Sequence, residues 1–117
     1  MDEFMIVMRL NTSKEAQPSP EELQGYMKMY RDWVAGIVAQ NKFAGGKGLS
    51  TEGRVVKPNN VVTDGPFAEI KESIAGIITI RATDFDDAVA IAKKCPILYG
   101  EGNSVEVRKI VTVPGTE

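Results

Sequence analysis

The chain has 117 residues, 43% of them hydrophobic and 26% charged, with 14 basic residues against 16 acidic ones. That describes one soluble domain with a single core. A net charge of −2 gives no electrostatic reason for direct nucleic-acid binding, which calls for a basic face. The chain has no histidine, which removes Ser-His-Asp and Cys-His catalysis and the usual zinc sites, leaving acid–base work to carboxylates, lysine, tyrosine or the lone thiol.

That thiol, Cys95, has no second cysteine to pair with and fits a reducing cytoplasm. No apolar run reaches the roughly 20 residues that span a bilayer, and the first residues lack the pattern of a signal peptide. A cytoplasmic protein without membrane contact is expected. Residues 1–113 read as one domain and 114–117 as a frayed tail.

In chain order, Phe4 to Leu10 is a strand with Phe4, Ile6, Met8 and Leu10 on one face and Met5, Val7 and Arg9 on the other. It is apolar on both sides, as in a strand covered on both sides. Ser19-Pro20-Glu21-Glu22 is a helix start with a capping box. Leu23, Tyr26, Met27, Tyr30, Trp33, Val34, Ile37 and Val38 follow at helical spacing, and the helix is expected to end near Asn41. Gly45-Gly46-Lys47-Gly48 lacks the spacing of a phosphate loop and reads as a bent strand or bulge. Arg54 to Lys57, Pro58-Asn59-Asn60 and Val61 to Thr63 form a hairpin with an Asn-rich turn. Ser73 to Arg81 is a second two-sided strand. Thr83-Asp84 caps a second helix through about Cys95 with Phe85, Ala88, Val89 and Ala92 inward; Pro96 stops it, and Val105 to Val113 is the last strand.

The order β-α-(β-hairpin)-β-α-β predicts an α+β, ferredoxin-like split βαβ with a hairpin insertion. Two helices cover one face of such a sheet, and its strands are apolar on both. A second copy of the chain is the simplest cover, so a homodimer with its sheets face to face is expected, enclosing a barrel-like interior.

Between the hairpin and the next strand lies Asp64-Gly65-Pro66-Phe67-Ala68-Glu69-Ile70-Lys71-Glu72, a cluster of ionisable groups held by a Gly-Pro bend. Asp64 is read as a general base or ligand acceptor, or as the Asx-turn that caps the bend. Glu69 and Glu72 pair with it as an acid–base set, or are solvated charges with Lys71 beside them. Phe67, Lys71 and Glu72 complete the candidate ligand contacts. With the first and third strands taken as adjacent and parallel, Arg9 and Arg81 form a bidentate anion clamp, or each pairs with Glu106 or another acid across the dimer. Cys95 is expected to be buried and inert, because a helix C-terminus does not lower a thiol pKa. Trp33 and Tyr99 are packing residues or ligand-stacking ones. No metal or cofactor is expected, since a lysine this close disfavours a tight oxygen-ligand site.

The mid-chain motif resembles the hallmark of the DGPF-motif branch of YCII-related proteins. Gly46-Lys47-Gly48-Leu49, Cys95-Pro96 and Glu106-Val107-Arg108 are similar to other stretches of that branch. The resemblance covers nearly the whole chain and implies a dimeric α+β barrel. Related YCII proteins are thought to use a His-Asp pair, which this chain cannot supply, and Ile70 stands where the branch often has threonine. The resemblance assigns no reaction and hints at association with alternative sigma factors. Two functions follow as expectations: a dimeric binder, or carboxylate acid–base enzyme, for a small anionic metabolite; and a non-enzymatic interaction module beside a sigma factor.

Overall fold

The computed structural model describes residues 1–11, 18–50, 52–64, 72–112 and 115, with Asp64 and Glu72 by backbone only. Eight regular elements follow one another: β1 Asp2–Asn11, α1 Pro20–Ala39, β2 Phe43–Gly48, β3 Arg54–Lys57, β4 Val61–Asp64, β5 Glu72–Ala82, α2 Phe85–Ala92 and β6 Ser104–Lys109. Strands β2, β5, β1 and β6 lie side by side in that order, and β3 and β4 form a separate two-stranded hairpin. This is the expected α+β, ferredoxin-like arrangement with a hairpin insertion.

All three pairings in the main sheet are antiparallel, which corrects the expected parallel pairing of the first and third strands. The reason is topological. Helix α1 returns the chain so that β2 runs parallel to β1, and β5 fills the gap between them in the opposite direction.

The helix start forms as its capping box requires. Ser19 Oγ accepts from the Glu22 amide, and Glu22 Oε1 accepts from the Ser19 amide, each at 3.2 Å. Asn41, with φ 59°, ends that helix. The second helix is capped by Asp84, whose Oδ1 accepts from the Asp87 amide at 2.8 Å. Asp87 joins this helix start to the residue before β2. Its two carboxylate oxygens take Lys42 Nζ at 3.2 and 3.0 Å, and Oδ2 also accepts from the Thr83 amide at 3.0 Å. The Thr83 N–H and then Lys42 hold the Asp87 carboxyl below the usual carboxylate range.

Only one face of the sheet is dry. Phe4, Ile6, Met8, Ile78, Ile80 and Ala82 pack there against Ile37 of α1, Ala88, Ile91 and Ala92 of α2, and Cys95. The molecule is correspondingly flat, 45 × 41 × 19 Å, with a short axis suited to one sheet and one helix layer. The first half of α1 runs past this core: Leu23 and Met27, expected in the packed stripe, are half exposed. Phe85 is also largely exposed, although its ring meets Phe4 edge-on at 4.9 Å. The hairpin forms as expected, with Asn59 and Asn60 at positive φ, and β2 carries the expected bulge, with φ +115° at Gly45 where the register shifts between Phe43 and Gly46.

Two glycines interrupt α1. A Cβ at Gly25 or Gly36 would meet nothing within 4 Å. Gly25→Ala and Gly36→Ala are each expected to stabilise the protein by about 0.5–1 kcal/mol, because only the glycine's backbone freedom is lost. Urea midpoints rising in both variants would confirm this, and a fall would show an unrecognised close neighbour.

Candidate functional site

The sheet face away from the helices carries the sequence-derived candidates that the described residues contain. Strand alternation places Met5, Val7 and Arg9 of β1 there. Register then places Thr79 opposite Met5 and Ile77 opposite Val7 on β5. On the outer strands, Arg108 lies opposite Met5 and Glu106 opposite Val7, while Lys47 lies opposite Ile77. One rung therefore reads Lys47, Ile77, Val7, Glu106 across the sheet. The two middle strands contribute half-buried apolar side chains, and the two edge strands contribute charges.

Glu106 is held from both sides. Arg9 Nη2 donates to its Oε1 at 3.0 Å and Arg108 Nη1 to its Oε2 at 3.2 Å. The trio carries one net positive charge, and both the Arg9 and Glu106 side chains are partly shielded. Arg9, then Arg108, holds the Glu106 carboxyl below its ordinary pKa. A carboxyl whose folded pKa is depressed contributes stability above the unfolded carboxylate pKa and loses it as pH falls through the folded value. The gap in urea midpoint between the native chain and Glu106→Gln is therefore expected to be full at pH 7 and to close below about pH 4, under the ordinary carboxylate pKa of about 4.3. A gap independent of pH would remove the charge from the explanation.

Arg9 thus meets one expected alternative, an ion pair with Glu106, and makes it within the chain. The arginine clamp is not formed. Arg81 lies opposite Glu3, whereas Arg9 lies opposite Ile74 at the other end of β1. Six residues at strand rise separate their rungs by about 20 Å, so one small anion cannot bridge them within a single chain. Arg108 is the residue that joins Arg9, through their shared Glu106 carboxylate. Alternation along Ser104–Lys109 was the available signal, since it puts Ser104, Glu106 and Arg108 on the face of Arg9.

Phe67, Glu69 and Lys71 lie outside the described residues, as do the side chains of Asp64 and Glu72; the backbone of Asp64 closes the hairpin opposite Arg54. Cys95 is buried, and burial pushes its thiol pKa up, which suits the inert reading. Trp33 packs, its indole N–H donating to the Ile91 carbonyl at 3.0 Å. Tyr99 is 73% exposed and packs on nothing that would bury it. Among the described residues no three Asp, Glu or Cys side chains gather as metal ligands, and no helix is long and apolar enough to cross a membrane.

A family model, that of the YCII-related domain, matches residues 5–113, from within β1 to beyond the last strand. The chain belongs to the YCII-related family. The match takes in both helices, the hairpin and the sheet from Met5 onward, so the Arg9–Glu106–Arg108 trio and the mid-chain motif both fall inside this YCII-related domain. No curated protein shows significant similarity to it.

Proposed function

We propose that this YCII-related protein is a cytoplasmic homodimer that binds a small organic anion between two opposed sheet faces. The observation that carries the reading is the face itself: an apolar middle formed by Met5, Val7 and Ile77, with Lys47, Glu106 and Arg108 on its edge strands. An apolar centre with a charged rim is the anatomy of a protein interface, and the described helices both cover the other side. Arg9 and Arg108 share a single carboxylate between two guanidinium groups. Each guanidinium has five N–H donors, so hydrogen-bonding capacity beyond Glu106 is available for a carboxylate or phosphate.

If chemistry accompanies binding, Asp64 acts as base with Glu69 as its acidic partner, an assignment that rests on the motif alone. A DGPF-type role for that motif is part of the same proposal. The lone buried thiol supports a reducing compartment.

The test is a thermal-shift screen of small carboxylates and phosphates, followed by calorimetry of any hit against Arg9→Met and Asp64→Ala. A true ligand at 100 times its Kd is expected to stabilise the protein by about 2.7 kcal/mol. Arg9→Met is expected to weaken binding at least tenfold, and Asp64→Ala to remove turnover if there is any. No stabilising anion, or a hit indifferent to Arg9, would sink the proposal.

A further inference from the structure

The helix layer carries a second concavity, on the side of the molecule opposite the sheet face. It is a cleft of about 300 Å³ between the second half of α1 and the length of α2. That volume is at the lower end for ligand pockets and suits a small metabolite. The two helices run antiparallel across it, since Lys42 just beyond α1 pairs with Asp87 near the start of α2, and Trp33 donates to Ile91 near its end.

The chemistry along the cleft is ordered. At one end stand Asp32 and Lys94, of opposite charge, and among the described residues neither forms an ion pair or side-chain hydrogen bond with the other or with a third group. Trp33 and Ile91 form an apolar wall, tied together by the indole hydrogen bond. The other end holds Gln40, a neutral donor and acceptor two helical turns from Asp32, and Asp87, whose carboxylate is engaged by Lys42. Between the ends, Gly36 lines the cleft.

That glycine is informative. It sits inside a helix, where it destabilises by up to about 1 kcal/mol relative to alanine, yet no neighbour requires it, because a Cβ there would meet nothing within 4 Å. Packing among the described residues does not explain it. What glycine does provide is depth midway between the charged and the amide ends.

We propose that this cleft binds a free α-amino acid. Asp32 takes the α-ammonium, Lys94 takes the α-carboxylate, Trp33 and Ile91 cover the aliphatic part of the side chain, and Gln40 meets its polar end. A carboxylate and an ammonium at the same end of one cleft match a zwitterion and disfavour a ligand carrying only one of its charges. The site is independent of the sheet-face reading, so either can fail alone.

Trp33 is the only tryptophan in the chain, and it reports on this cleft directly. The experiment titrates the native protein with each of the non-aromatic amino acids, following Trp33 fluorescence and its indole N–H resonance. At least one amino acid is expected to give a saturable change with Kd at or below about 1 mM, equivalent to about −4 kcal/mol. Its decarboxylated amine and its deaminated acid are each expected to bind at least tenfold more weakly. Asp32→Asn and Lys94→Met are expected to lose at least tenfold in affinity, and Gly36→Leu, which puts a branched side chain into the cleft from a position whose Cβ meets nothing within 4 Å, to abolish the response while the protein stays folded by circular dichroism. No saturable response from any amino acid, an analogue binding as tightly as the zwitterion, or a response that survives Gly36→Leu would each overturn the proposal.

Discussion

Phe4→Ala is expected to lower the folding free energy by about 3–5 kcal/mol, the range for emptying a phenylalanine site in a well-packed core. Phe4 is 1% exposed. It lies on a central strand, between Ile80 on one neighbour and Lys109 on the other, with the Phe85 ring edge-on above it at 4.9 Å. Removing the ring therefore deletes both a layer of the sheet core and the contact that brings the start of α2 down onto it. Domains of this size have about 5–15 kcal/mol in total, so the loss is a large share of the whole. Leu23→Ala is the control: this side chain is 49% exposed on the overhanging half of α1, and its loss is expected to change stability by about 0.5 kcal/mol or less. Urea unfolding followed by circular dichroism separates the two, and similar losses would mean that the core is not where burial places it.

The contrast shows what the sequence carries and what it does not. Local chemistry was legible wherever one or two residues dictate backbone shape. Ser19 and Glu22 close their box, and Pro58-Asn59-Asn60 turns the hairpin through two asparagines at positive φ. Alternation also gave the faces of β1, since Phe4, Ile6 and Met8 are buried while Met5 and Val7 are not fully so.

Alternation does not state which strand lies alongside, or in which direction. The parallel pairing inferred for Arg9 and Arg81 failed there, and Arg108 was missed as the neighbour of Arg9 for the same reason. Register irregularities are equally silent. A shift between Met8 and Arg9 brings Ile74 opposite Arg9, so Ile74, an even step along β5 from Ile78 and Ile80, is 38% exposed while those two are dry. Nor does a helical stripe reveal how much sheet lies beneath it. At 1.5 Å per residue the 20 residues of α1 span about 30 Å, and of them only Ile37 is buried. The last strand was read too long because Val111 is apolar, but it is 71% exposed and follows the final sheet residue, Lys109. The cleft between the helices was invisible for another reason: Asp32, Gly36 and Gln40 recur every fourth residue on the polar side of the stripe, where periodicity predicts only solvent.

Val7→Asp is expected to separate the proposed dimer into monomers while leaving each one folded. Val7 sits in the rung Lys47, Ile77, Val7, Glu106, with apolar neighbours toward the centre of the sheet and a carboxylate on its outer side. An aspartate there would be buried against the opposite sheet with Glu106 beside it, and the nearby guanidiniums of Arg9 and Arg108 are already engaged by Glu106. Taking a carboxylate out of water costs several kcal/mol per ion, and in a two-fold interface the same substitution occurs twice. A rise of at least a hundredfold in dimer Kd follows, about 2.8 kcal/mol at the conversion of 1.4 kcal/mol per factor of ten. In an isolated chain the same face is open to water, so the charge stays solvated and the urea midpoint of the monomer is expected to move little. Val38→Asp, on an α1 position 54% exposed, should leave assembly unchanged. Sedimentation velocity over a concentration series distinguishes the outcomes. A native chain that sediments as a monomer, or a Val7→Asp variant that still pairs, would show that the apolar middle of the sheet is not the surface on which two copies meet.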